Sequence, residues 1–206
     1  MRLVPWLKTA LIPWAAALLA SLIFGLLKYT GGDPIIQRGY FLAVAFALQL
    51  ILPASLTYSA TLPLSISFGS TRKEALIGLL ISRIASAVLC AATAVILDLL
   101  SGSAALLPAA KLLPLALGAY LLAGTFSGLL GKACLRWGNG IGYGLLSAAS
   151  MVVVIVVMTV VIGTADPSGL LGSFTVSYAV LAAGIVSVLL MLPFDKMTVY
   201  NYTVKV

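Results

Sequence analysis

From Ala75 to Leu100 the chain reads ALIGLLISRIASAVLCAATAVILDLL. A bilayer core about 30 Å thick is crossed by about 20 apolar residues in an α-helix, and this run is long enough. In the whole 206-residue chain, 62% of residues are hydrophobic and 8% are charged. Mean hydropathy is +1.18. A soluble domain carries about 25% charged residues to wet its surface. A composition this poor in charge excludes a water-soluble domain and predicts a surface that faces lipid.

Working outward from that run, five more spans are predicted. The first covers 9–27 and ends at the turn-forming Lys28–Pro34. Its apolar stretch is read as a retained helix, since no small-x-small cleavage site follows it. The second covers 40–64, with Pro53 expected to kink it. The fourth covers 112–130 and the fifth 141–162. The sixth covers 175–192, leaving Asp195–Val206 as a tail. The fifth holds Val152–Val157, a β-branched run that would suit a strand in water. In a bilayer a lone strand leaves its backbone unpaired, so a helix is predicted. The fold class expected is all-α: one transmembrane domain over 1–206 with six helical spans.

Orientation follows from the basic residues. With the N-terminus cytoplasmic, nine fall inside: Arg2, Lys8, Arg72, Lys73, Arg83, Lys132, Arg136, Lys196 and Lys205. Three fall outside: Lys28, Arg38 and Lys111. The positive-inside rule therefore places both termini in the cytoplasm of a multi-pass cell-membrane protein, an inner membrane in bacteria. The net charge of +7 is explained by topology, not by a nucleic-acid partner.

Little in the chain carries chemistry. There is no histidine, and the two cysteines, Cys90 in a span and Cys134 in a predicted loop, make a poor metal set. No phosphate-binding loop is present, because Gly131-Lys132 lacks the earlier glycine at the required spacing. No catalytic, metal or cofactor residues are assigned. The five acids are dispersed, and none is placed near the middle of a span, where a coupling ion would sit; Asp98 falls at the outer end of the third. Arg83 is the one basic residue well inside an apolar run. It is read either as an anchor that snorkels to the interface or as a brace under the preceding loop. Small residues four apart, Ala16/Ala20, Gly124/Gly128 and Gly140/Gly144, predict close packing between spans.

The most informative loop is Phe68-Gly69-Ser70-Thr71-Arg72-Lys73-Glu74, between spans two and three. Thr71 and Glu74 have capping-box spacing ahead of an apolar run, which predicts a helix start. With Ala75 and Gly78 it resembles the second cytoplasmic element of type-2 ABC exporter permeases, as does the six-span layout. That resemblance implies a coupling helix at 68–74 seated in a groove of a separate ATP-binding subunit. It also implies a second permease chain, identical or related. It further implies a transport path lined from spans two and five, here by Gln49, Ser55, Ser59, Tyr143, Ser147 and Ser150. The chain departs from the family in its short N-terminal segment and in the short connection between spans five and six. The alternatives are the substrate-binding membrane component of a vitamin uptake system, which needs a polar pocket at the outer face, or a membrane scaffold that transports nothing.

Overall fold

A computed structural model describes residues 4–27, 44–52, 57–58, 61–100, 109–137 and 174–201. All the regular elements among them are helical: α1 (Val4–Leu27), α2 (44–52), α3 (Leu62–Ser67), α4 (Arg72–Leu100), α5 (Ala109–Trp137) and α6 (Phe174–Asn201). Within α4, α5 and α6, the stretches Arg72–Ile96, Ala110–Ala133 and Thr175–Asn201 are long and apolar enough to cross a membrane. Trp6–Leu19 in α1 is a shorter apolar helix. The predicted fifth span and the Pro53 kink lie outside the described residues.

Of the boundaries that differ from the sequence reading, two matter for the site. α5 continues past Leu130 to Trp137, so Lys132, Cys134 and Arg136 stand on a helix and not in a loop. α6 continues past Leu192 to Asn201 and carries Pro193 inside it. Proline removes one helical hydrogen bond. Here the turns beyond it are retained because they are packed: Asp195 and Val199 are both buried. Asp195 is therefore a residue of a membrane-capable helix, not of a tail.

Directions follow from which residues meet. Trp14 Nε1 donates to Thr93 Oγ1 (2.7 Å), and Trp6 lies against Gly78, so α1 and α4 run parallel. Gln49 meets Ser86 while Tyr58 meets Arg83, so the course from α2 to Tyr58 runs antiparallel to α4. α5 packs most extensively on α6, and α4 packs on α5 and α1. Gly118 lies against Val180, Thr125 is 3.1 Å from Ser187, and Lys132 reaches Asp195, so α5 and α6 run parallel. One buried cluster joins Trp6, Tyr58, Leu62, Ala75, Leu79 and Val199. The start of α1, the start of α4 and the end of α6 therefore share one end of the bundle. A second cluster, rich in alanine and including Cys90, Tyr120 and Val188, fills the middle.

Close approach depends on glycine at two places. A Cβ on Gly184 would lie 2.7 Å from the Gly118 carbonyl oxygen, and one on Gly118 would lie 2.5 Å from the backbone of Val180. This is the crossing point of α5 and α6, and backbone cannot swing aside there. The glycines Gly124, Gly128 and Gly131 have a different use. The neighbours at these positions are the side chains of Arg83, Gln49, Met191 and Tyr58. Their spacing of four and three residues puts them on one helix face, as a groove that receives long side chains.

Candidate functional site

That groove houses a buried ion cluster. Asp195 of α6 receives three donors. Arg83 Nη1 is 3.1 Å from Oδ2, Lys132 Nζ is 3.1 Å from Oδ1, and the Tyr58 hydroxyl donates to Oδ1 at 2.8 Å. Arg83 Nη2 donates in turn to the Tyr58 oxygen at 3.2 Å. The Arg83 and Asp195 side chains are 5% and 2% exposed, and that of Lys132 is 16% exposed. Removing such charges from water costs several kcal/mol per ion, on the order recovered only with close geometry and saturated hydrogen bonding. Three donors on one carboxylate meet that condition. Lys132 also lies 3.7 Å from Met191 Sδ and 5.6 Å from the centre of the Phe194 ring. These contacts attract the second cation, which the single carboxylate does not neutralise.

One carboxylate thereby ties together α4, α5, α6 and the short helical segment at 57–58. Arg83 is not a snorkelling anchor. It is buried and paired across the bundle. The expectation that Asp195 lies outside the spans is corrected with it, because α6 does not end at Leu192. A sequence signal for this pairing existed. In the cytoplasm-inside topology only Glu74 and Asp195 share a side with Arg83, and Glu74 is occupied in a capping box. Asp195 was the acid left.

A small cavity borders the cluster, lined by Thr9, Gln49, Thr57, Tyr58, Leu79, Ser82, Arg83, Ser86, Gly124 and Gly128. Gln49, assigned from the sequence to path lining, is fully buried there, and its amide nitrogen donates to Ser86 Oγ. Ser55, Ser59, Tyr143, Ser147 and Ser150, the other path candidates, lie outside the described residues. Among the described residues, no group of three or more potential metal-ligating side chains comes together.

The second feature is the knuckle between α3 and α4. α3 ends in a Schellman motif. Ser70 N–H donates to the Ser65 carbonyl at 3.0 Å and Gly69 N–H to that of Ile66 at 3.1 Å. Gly69 takes φ +82°, the left-handed conformation this closure needs. α4 then starts in a capping box. Glu74 N–H donates to Thr71 Oγ1 and Thr71 N–H to the Glu74 carboxylate, both at 3.2 Å. Phe68, the C-cap residue of α3, is 74% exposed. Arg72 folds back. It donates to the Tyr200 carbonyl and its guanidinium lies 5.9 Å from the centre of the Tyr200 ring. The contact satisfies a last-turn carbonyl of α6 with a cation, where the helix dipole favours one.

No known protein family matches the chain, and no curated protein or solved structure is detectably similar to it.

Proposed function

We propose that the chain is the membrane-spanning permease subunit of an ATP-driven ABC exporter, coupled through residues 68–74 to a separate ATP-binding subunit. The observation that carries this reading is Phe68. A large aromatic stands 74% exposed at the C-cap of α3, in a knuckle whose two sides are both capped. An exposed aromatic on rigid backbone is what a groove in a soluble partner receives well, since little conformational entropy is lost on docking. The knuckle is also tied to the bundle. Arg72 and Arg83 lie eleven residues apart on α4, three turns and about 16 Å along one face. Both grip α6, at Tyr200 and at Asp195. A displacement at Phe68 therefore reaches α6 through two charged contacts.

The parallel course of α5 and α6 supports the six-span layout. Their connection has to bring the chain back from the knuckle end, as a span over 141–162 would do. The nine-to-three distribution of basic residues supports a cytoplasmic knuckle. A vitamin-uptake component needs a polar pocket at the opposite end, whereas the cavity here lies in the knuckle half, between Leu79 and Ser86 of α4. The exporter works by mechanical coupling. ATP binding closes the partner subunits, and two permease chains alternate between open and closed forms. Phe68→Ala is expected to abolish co-purification with the ATP-binding subunit or to uncouple ATP turnover from transport, with membrane insertion unchanged. Arg136→Ala on α5 serves as the matched control. Wild-type coupling in Phe68→Ala contradicts the reading.

A further inference from the structure

Lys132 is the one member of the ion cluster that reaches the surface, with Tyr58, Arg83 and Asp195 buried behind it. It stands one residue before the end of the apolar stretch Ala110–Ala133. At 1.5 Å per residue that stretch is about 36 Å long, against about 30 Å of hydrocarbon, so Lys132 stands at the level of the lipid headgroups. Its ammonium has three protons to donate. Asp195 Oδ1 and the weak acceptor Met191 Sδ take two, and nothing polar among the described residues takes the third. Exposed apolar side chains lead to it on both helices. Leu129 lies three residues before Lys132 on α5, and Leu190 four before Phe194 on α6, spacings that keep each pair on one helix face. Leu129, Leu190 and Phe194 are all exposed, and the Phe194 ring lies 5.6 Å from Lys132 Nζ. Because α5 and α6 run parallel toward the knuckle end, both leucines lie deeper in the membrane than the cation.

We propose that Lys132 and the α5–α6 surface around it form a binding site for one anionic phospholipid, its phosphodiester on Lys132 Nζ and its acyl chains along Leu129 and Leu190. Charge selects the class. Arg83 and Lys132 bring two positive charges and Asp195 one negative, so a single phosphodiester closes the balance. A zwitterionic lipid carries its own cation beside the phosphate and leaves the excess in place. A free anion meets the charge but covers none of the apolar surface, whereas a lipid in the knuckle-end leaflet has its head and its chains in the order in which the protein presents cation and leucines. The bound lipid completes the cluster that joins α4, α5 and α6.

The test is native mass spectrometry of the full chain in detergent, offered equal amounts of palmitoyloleoyl phosphatidylglycerol and phosphatidylcholine, which differ in headgroup and not in chains. Wild-type protein is expected to retain one phosphatidylglycerol about fivefold in preference to phosphatidylcholine, the contribution of one basic residue near an anionic headgroup. Lys132→Met leaves Asp195 paired with Arg83 and should abolish the preference, and Lys132→Arg should keep it. Lys111→Met removes the same charge at the opposite end of α5 and should change nothing. Excess inorganic phosphate should not displace the lipid. Equal retention of the two lipids by the wild type overturns the site, whether or not any variant folds. A preference that survives Lys132→Met places the lipid elsewhere, and displacement by inorganic phosphate makes the site one for a free anion. Either result overturns the proposal.

Discussion

Arg83 and Asp195, 112 positions apart in the chain, meet at 3.1 Å in the interior of the bundle, and Asp195 is the common acceptor of Arg83, Lys132 and Tyr58. The roles are unequal. Arg83 is one of three donors, whereas Asp195 is the only acid among the described residues on which they converge.

The first prediction uses that asymmetry. Asp195→Asn leaves Arg83 and Lys132 buried with no opposite charge and should cost on the order of 3–5 kcal/mol. Arg83→Met keeps Asp195 paired with Lys132 and Tyr58 and removes the surplus cation, so it should cost clearly less. Thermal unfolding of the two variants in one detergent gives the order. An Arg83→Met variant as unstable as Asp195→Asn would show that Lys132 and Tyr58 do not hold the carboxylate.

A second prediction separates two kinds of glycine. Gly69 has open space where a Cβ would stand, and only its φ of +82° favours glycine. Gly69→Ala should cost about 1 kcal/mol, and Gly69→Asn should recover part of it, because asparagine tolerates the left-handed region. Gly184→Ala drives a Cβ into backbone of α5 and should cost about 1–3 kcal/mol. Asparagine there should be worse. Rescue of position 184 by asparagine would mean that contact is not the constraint.

The knuckle cap gives a third. Thr71→Ala loses the acceptor for the Glu74 amide and should destabilise by about 1 kcal/mol, while Thr71→Ser should stay within a few tenths. Circular dichroism melts of the pair decide it. Equal melting temperatures for Thr71→Ala and wild type would mean that the cap does not hold the start of α4.

The capping box and the apolar cores of α4, α5 and α6 were legible because each rests on local spacing. The ion cluster was not legible in local spacing, because it depends on where two helices end; only the elimination of the other acids by topology pointed to it. Pro193, followed by Asp195 and Lys196, reads as a stop signal. The buried side chain of Val199 and the Arg72 contact at Tyr200 outweigh it, and neither is visible in local sequence. The use of the α5 glycines was half legible. Gly124 and Gly128 were expected to admit a neighbouring helix, but the groove admits the side chains of Arg83 and Tyr58. The backbone crossing falls at Gly118 and Gly184, which lie on different helices and so give no short motif.

Topology supplies a fourth prediction. In a background lacking Cys90 and Cys134, Ser70→Cys should react with an impermeant thiol reagent only after permeabilisation. Ser168→Cys should react in intact cells. The reverse pattern would invert the protein and put the knuckle out of reach of any cytoplasmic ATPase.

The most direct test of the coupling role is to replace Phe68 with a photo-crosslinking phenylalanine analogue and irradiate intact cells. The permease reading predicts a crosslinked adduct with a cytoplasmic protein that itself takes up label from azido-ATP, and loss of that adduct when the analogue is moved to Phe126 on α5. Adducts only with lipid, or with a protein that does not bind ATP, would contradict it.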